Sequence, residues 1–288
     1  MDFKCTGDNL EQIPEEVVRK TGISFPEGHS DKNYMATLAR ELRKHRGDVL
    51  VRVPFCVTVE AEAYGAHIKL GDALNGPRVE SYRFASIEEM SNLQSLELSE
   101  GRISEVLDAV GILAEAGEKV ALSVEGPFTI LSSLIDPMNF YKGLRKDPQR
   151  IQGILAVVEE GIIRYSQEGI KRGASIISYG DPVGAIGIIG PKVYQEYSGP
   201  SSWRVIQGIR DGGGRVLIHL CGKTSTALEK IEMARAYPIE TDETMTYGQG
   251  LLGQLDKATE PIVIGHRCIK GSLNTMVNPI LWGIELIK

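Results

Sequence analysis

GRVLIHLCGKTSTALEKI, residues 214–231, decides the fold. Its first half, Val216 to Cys221, is almost continuously apolar and stops at Gly222. Strands of a parallel sheet read this way, because helices cover both of their faces. In its second half, Thr224 or Ser225 can cap a helix running through TALEKIEMARAY. A strand passing directly into a helix is the repeating unit of an α/β fold.

The same unit recurs along the chain. DVLVRVPFC (48–56), EKVALSVEGP (118–127), ASIISYGDP (174–182) and EPIVIGHRC (260–268) read as strands. RVESYRF (78–84) is a weaker strand candidate, and YPIETDE (237–243) is ambiguous. Between them, Ser30 or Asp31 can cap a helix carrying Met35, Leu38 and Leu42 on one face. ISEVLDAVGILAEAGE keeps helical spacing up to Gly117. Asp147 as N-cap and Pro148 at the first helical position open a long helix that ends at Gly173. No G-x-G-x-x-G follows a strand, so a dinucleotide-binding doubly wound sheet is disfavoured. DGGGRV (211–216) precedes a strand and reads as a turn. The expected fold is therefore α/β, a (β/α)8 TIM-type barrel. Residues 1–288 are read as one domain with an N-terminal extension over about residues 1–30. Only six or seven strands can be counted, so one of the eight units is expected to be hidden or reduced.

Composition narrows the function. The chain is 42% hydrophobic and 24% charged, as globular enzymes are. Its formal net charge of −6 argues against a nucleic-acid partner. The four cysteines, Cys5, Cys56, Cys221 and Cys268, are too few and too scattered for a disulfide scaffold. They suit a reducing, cytoplasmic compartment. The N-terminal MDFKCTGDNLEQIPEE is polar and acidic, unlike a signal peptide. No apolar run approaches the roughly 20 residues of a membrane span. A cytoplasmic enzyme without a membrane or nucleic-acid partner is expected.

In a barrel of this type the active site forms at the C-terminal ends of the strands. The polar residues there are Cys56, Glu125, Tyr179 with Asp181, His219 with Cys221, and His266 with Cys268. His219 and Cys221 are two apart on one strand and share a face. An imidazole and a thiolate on one face make half of a zinc site. Cys268 ends a later strand candidate and is the first choice for a third ligand, with His266 and Cys56 as alternatives. Cys5, in the polar N-terminal arm, is expected to be inert. Three protein ligands would leave one position open, the mark of a catalytic rather than a structural zinc. The plainer reading is that a buried Cys is a small hydrophobe. Asp181 is a catalytic candidate, able to hydrogen-bond a ligand or the substrate. It can equally cap the turn at Pro182. Glu125 and Tyr179 are expected to line the pocket and bind substrate. Glu60 and Glu62 would share a face on a strand, or sit in the first turn of a helix, where the dipole favours acids. No G-x-S-x-G elbow is present, which leaves a serine hydrolase unsupported.

VPFCVTVEAEAYGAHIKLGD (53–72), VEGPFTILSSLI (124–135), the long helix from Lys146, YGDPVGAIGIIGPKVYQEYSGP (179–200) and VLIHLCGKTS (216–225) carry a resemblance. The chain resembles the uroporphyrinogen decarboxylase superfamily, and within it the corrinoid-dependent methyltransferases of the methylcobalamin:coenzyme M type. EGPFT and the GDP…GPKVYQEY segment are superfamily features, whereas HLCG is similar to the methyltransferases. The resemblance implies a catalytic zinc held by His219, Cys221 and, as the downstream Cys, Cys268. It implies transfer of a methyl group from methylcobalamin to a small acceptor. The acceptor thiolate would attack the methyl carbon, and cobalt would leave as Co(I). The acceptor would be a thiol such as coenzyme M or homocysteine, or else tetrahydrofolate. The D-x-H-x-x-G segment that ligates cobalt in corrinoid domains is absent from the sequence, so the corrinoid is expected on a separate partner protein. The alternatives are a decarboxylase acting on a carboxylated tetrapyrrole, or a noncatalytic binder of a corrinoid protein. The arginine-rich R-Q-A-G-R segment that grips the decarboxylase substrate has no match in the chain.

Overall fold

The computed structural model describes residues 12–241 and 244–287. Cys5 and the last two residues of YPIETDE lie outside this set. The strands are β1 (Val51–Val53), β2 (His67–Lys69), β3 (Arg78–Ser81), β4 (Val120–Glu125), β5 (Ile176–Gly180), β6 (Leu217–Cys221), β7 (Ala234–Glu240), β8 (Ile262–Arg267) and β9 (Ile280–Leu286). The main sheet runs in the order β1-β4-β5-β6-β8-β9-β7. Its first five members are parallel, and all five lie inside the five long apolar runs. The fold is of the TIM-barrel type.

Three elements differ from expectation. RVESYRF contributes β3, which pairs antiparallel with β2 in a separate hairpin and adds nothing to the barrel. The helix after β6 spans Gly222–Lys230, so Thr224 and Ser225 sit inside it rather than capping it. The ARAY expected to continue that helix is the start of β7. β7 does not enter the ring between β6 and β8. It pairs antiparallel with β9, a strand missed in the sequence, and β9 pairs antiparallel with β8. The departure from eight parallel units is concentrated in this last part of the chain.

Helix ends follow local chemistry. Asp31 accepts from the backbone N–H groups of Asn33 and Tyr34 and starts helix Lys32–Arg46, which buries Met35, Leu38 and Leu42. Asp147 accepts from Arg150 N–H ahead of Pro148, opening helix Pro148–Lys171. From residue 12 on, the N-terminal segment packs on the domain: Ile13, Val17 and Ile23 belong to the main hydrophobic cluster.

The register stacks inward-facing residues in layers. Arg52, Ala121, Ile176, Leu217 and Ile262 align across the parallel strands. One pleat higher come Ser123, Ser178, His219 and Ile264. Leu50, Ala121, Ile176, Leu217 and Ile264 form an apolar floor with Tyr247 and Leu251. Above this floor the inward residues turn polar, and that change opens the site.

Candidate active site

One pocket sits at the C-terminal ends of the parallel strands. Its wall includes Arg52, Cys56, Glu125, Tyr179, His219, Cys221 and Cys268, with Lys223 and Lys270 among the remaining lining residues. Of the expected strand-end residues, Asp181 and His266 are not on that wall, and the others are. None of Cys56, Cys221 and Cys268 is in a disulfide.

His219 is 1% exposed, and its Nε2 has no hydrogen-bond partner among the described residues. Its Nδ1 lies 3.4 Å from Ser178 Oγ. The ring edge of Tyr247 packs against it at 6.0 Å between centroids. Burial pushes the imidazole down to about 4, so it is neutral near pH 7. A neutral buried imidazole with an unsatisfied nitrogen has the electronic form of a metal ligand. Among the described residues, no three His, Cys, Asp or Glu side chains stand close enough, as placed, to hold one ion.

Cys56 belongs to a different cluster. Arg102 Nη1 donates to its Sγ at 3.0 Å, and Thr58 Oγ1 lies 3.4 Å from the same sulfur. Arg102 also donates to Thr58 Oγ1 at 2.8 Å and pairs with Glu62. This buried guanidinium was not anticipated: it lies near the start of helix Gly101–Glu115, where a charged residue gives no sign of burial.

The carboxylates divide by role. Asp181 accepts from the backbone N–H of Phe128 at 3.1 Å, of Thr129 at 2.9 Å and of Gly184 at 3.1 Å. Thr129 Oγ1 donates to it at 2.7 Å. It ties the start of helix Pro127–Leu134 to the loop after β5, the capping role. Both of its oxygens are engaged, which leaves none directed at substrate. Glu125 Oε2, by contrast, is buried on the pocket wall without a hydrogen-bond partner among the described residues. Burial first, then the nearby Glu60, Asp181 and Cys56, holds the Glu125 carboxyl well above the usual range, which favours its protonated form. Glu60 sits in the first turn of helix Val59–Ala63, yet it is 1% exposed and accepts from Glu125 N–H at 2.9 Å. Burial raises its carboxyl to about 7. Tyr179 lines the pocket, while its hydroxyl donates to Ser202 Oγ at 2.9 Å.

Arg52 was also missed, although its signal was visible: a lone cation inside the apolar DVLVRVPFC, at an inward position.

The uroporphyrinogen decarboxylase (URO-D) family model matches residues 10–277. The chain belongs to that family. Among curated proteins it is similar to methylcobamide:CoM methyltransferase MtbA of Methanosarcina acetivorans, 28% identical over 254 residues, covering 87% of this chain and 74% of the relative. The corresponding protein of Methanosarcina mazei is 29% identical over 231 residues, covering 79% of this chain and 68% of the relative. Among solved structures, a methyltransferase from Methanosarcina mazei superposes with a TM-score of 0.66 at 24% identity, covering 76% of this chain and 67% of that one. This last likeness speaks for the shared fold. No helix among the described residues of this URO-D family member is long and apolar enough to cross a membrane.

Proposed function

We propose that this URO-D family member is a zinc-dependent methyltransferase that moves a methyl group from a methylated corrinoid protein to a small thiol. The observation that carries the reading is the convergence of His219, Cys221 and Cys268 on one pocket wall, with the buried His219 Nε2 unsatisfied. The donor set of one neutral imidazole and two thiols suits zinc. When bound, zinc would supply a Lewis acid with an open position that keeps an acceptor sulfur in its thiolate form near neutral pH.

The chain's own residues would do the rest. His219, Cys221 and Cys268 would hold the ion, with the two thiols closing toward Nε2. Cys56 is the weaker third ligand, because Arg102 and Thr58 already engage its sulfur. Glu125, in its protonated form, would donate a hydrogen bond into the pocket, and the ring of Tyr179 would pack beside the acceptor. The apolar floor beneath His219 excludes water from below. The corrinoid partner would dock over the strand ends, where the pocket opens. The Methanosarcina relatives are named for a methylcobamide and CoM, which supports a thiol acceptor over tetrahydrofolate. A decarboxylase reading lacks the arginine-rich substrate segment.

The test is to mix the purified protein with free methylcobalamin and each candidate acceptor while following the cobalamin spectrum. Loss of the methylcobalamin bands with coenzyme M or homocysteine is expected. Turnover with tetrahydrofolate alone would overturn the thiol reading, and no turnover with any acceptor would overturn the function.

A further inference from the structure

Strand β8 carries one residue more than its neighbour can match. β6 and β8 run in step from Leu217–Ile262 to His219–Ile264, and then Cys221 pairs with Arg267. Two residues of β6 therefore face three of β8, which is a bulge. Within it His266 has φ of 65°, a left-handed conformation that residues other than glycine rarely adopt. An even pleat from Ile264 would have aimed His266 into the barrel beside Cys221.

Its ring goes elsewhere. Nδ1 lies 2.9 Å from Ser225 Oγ, and Nε2 lies 2.7 Å from Glu229 Oε2. Both partners are on helix Gly222–Lys230, which begins directly after Cys221. A carboxylate only accepts, so Nε2 carries a proton and Nδ1 is free to accept the Ser225 hydroxyl proton. Ser225 Oγ in turn accepts the His266 backbone N–H at 2.8 Å. Trp282 of β9 packs against the ring at 5.9 Å. Gly265 makes the approach possible: a Cβ there would lie 2.6 Å from Ser225 Cβ. The trio has the membership of a hydrolase triad, but Ser225 is 0% exposed, so it has no access to a substrate.

We infer that His266 is a positioning residue: the Ser225–His266–Glu229 clamp holds the β8 bulge, keeps an imidazole out of the pocket and sets Cys268, two residues on, to face the same space as Cys221. The clamp couples the end of one strand to the helix leaving the other, so the two thiols are placed together. The inference rests on reading the pocket as a His219–Cys221–Cys268 metal site.

The full chain, freed of metal, is treated with dibromobimane, which fluoresces on bridging two thiols. Zinc affinity is measured separately by competition with a chromophoric chelator. Glu229→Ala and Ser225→Ala should bridge Cys221 to Cys268 about tenfold more slowly and hold zinc about tenfold more weakly, as loss of a partner behind a ligand does. Glu229→Gln keeps an acceptor for Nε2–H and should restore both. His266→Asn tolerates the left-handed backbone and removes the ring contacts, so it should reproduce the loss even where an alanine variant folds poorly. Parent-like bridging and affinity in well-folded Glu229→Ala and Ser225→Ala would overturn the clamp, as would failure of Glu229→Gln to rescue. If the parent binds no zinc while the variants still bridge slowly, the clamp stands and the metal reading fails.

Discussion

Cys221 stands opposite Arg267 across the β6–β8 ladder, although an even pleat would have set it opposite His266. The exchange changes what the pocket contains. His266 leaves for the helix side, and the Arg267 guanidinium lies 5.4 Å over the Tyr247 ring, which also packs against His219. A cation on an aromatic face is stabilising where water is scarce. Tyr247 thus buttresses the His219 ring from one side.

Metal content follows from the ligand set. The purified protein should carry about one zinc per chain, with His219→Ala and Cys268→Ala each lowering occupancy. Cys56→Ala should keep its zinc, because that sulfur is engaged by Arg102. Elemental analysis decides: zinc retained in Cys268→Ala and lost in Cys56→Ala would exchange the two assignments.

Gly265→Ala tests the close approach at the bulge. The added methyl would sit 2.6 Å from Ser225 Cβ and 2.8 Å from Ser225 Oγ. Helix and strand must separate, at a cost of about 1–3 kcal/mol, the usual range for an overpacked site. Urea unfolding measures it, and an unchanged midpoint would show that the two elements can part freely.

Asp181→Ala should act on stability first. It strands the buried N–H groups of Phe128, Thr129 and Gly184, at a cost of about 3 kcal/mol or more. Asp181→Asn keeps one acceptor and should lose less. Full stability with abolished methyl transfer in Asp181→Ala would instead place Asp181 in the chemistry.

Glu60 makes stability depend on pH. Its carboxyl is raised from 4.5 to about 7 in the folded chain, chiefly by burial. The folded state keeps a proton that the unfolded state releases, so the contribution of Glu60 is whole below pH 4.5 and is lost as pH rises through about 7. The size is of order 3 kcal/mol. Glu60→Gln cannot ionise, so its stability relative to the parent should climb by that order between pH 4.5 and about 8. A flat difference across the range would mean that Glu60 does not titrate there.

Local chemistry alone was enough for much of this molecule. Continuous apolar runs marked the five parallel strands, because a strand covered on both faces has no polar side to show. Asp31, Asp147 and Pro148 marked helix starts through groups acting within three residues. Spacing by two put His219 and Cys221 on one face. Other features depend on partners far away in the chain. Whether Arg102 is buried depends on Cys56 and Glu62, 46 and 40 positions away. Asp181 reads equally as catalyst or cap until Thr129 and Gly184 are seen to donate to its Oδ1 and Phe128 to its Oδ2. β7 and β9 support each other as an antiparallel pair, and although β9 (ILWGIEL) is as apolar as the parallel strands, its antiparallel place between β8 and β7 is set by those partners. In EPIVIGHRC the one local mark of the bulge is Gly265, a residue that in a strand signals a bulge or a close backbone approach without saying which. Ser225 and Glu229, on a helix packed against it, and Trp282 of β9 supply the contacts that hold the ring out of the pocket that Cys268 lines.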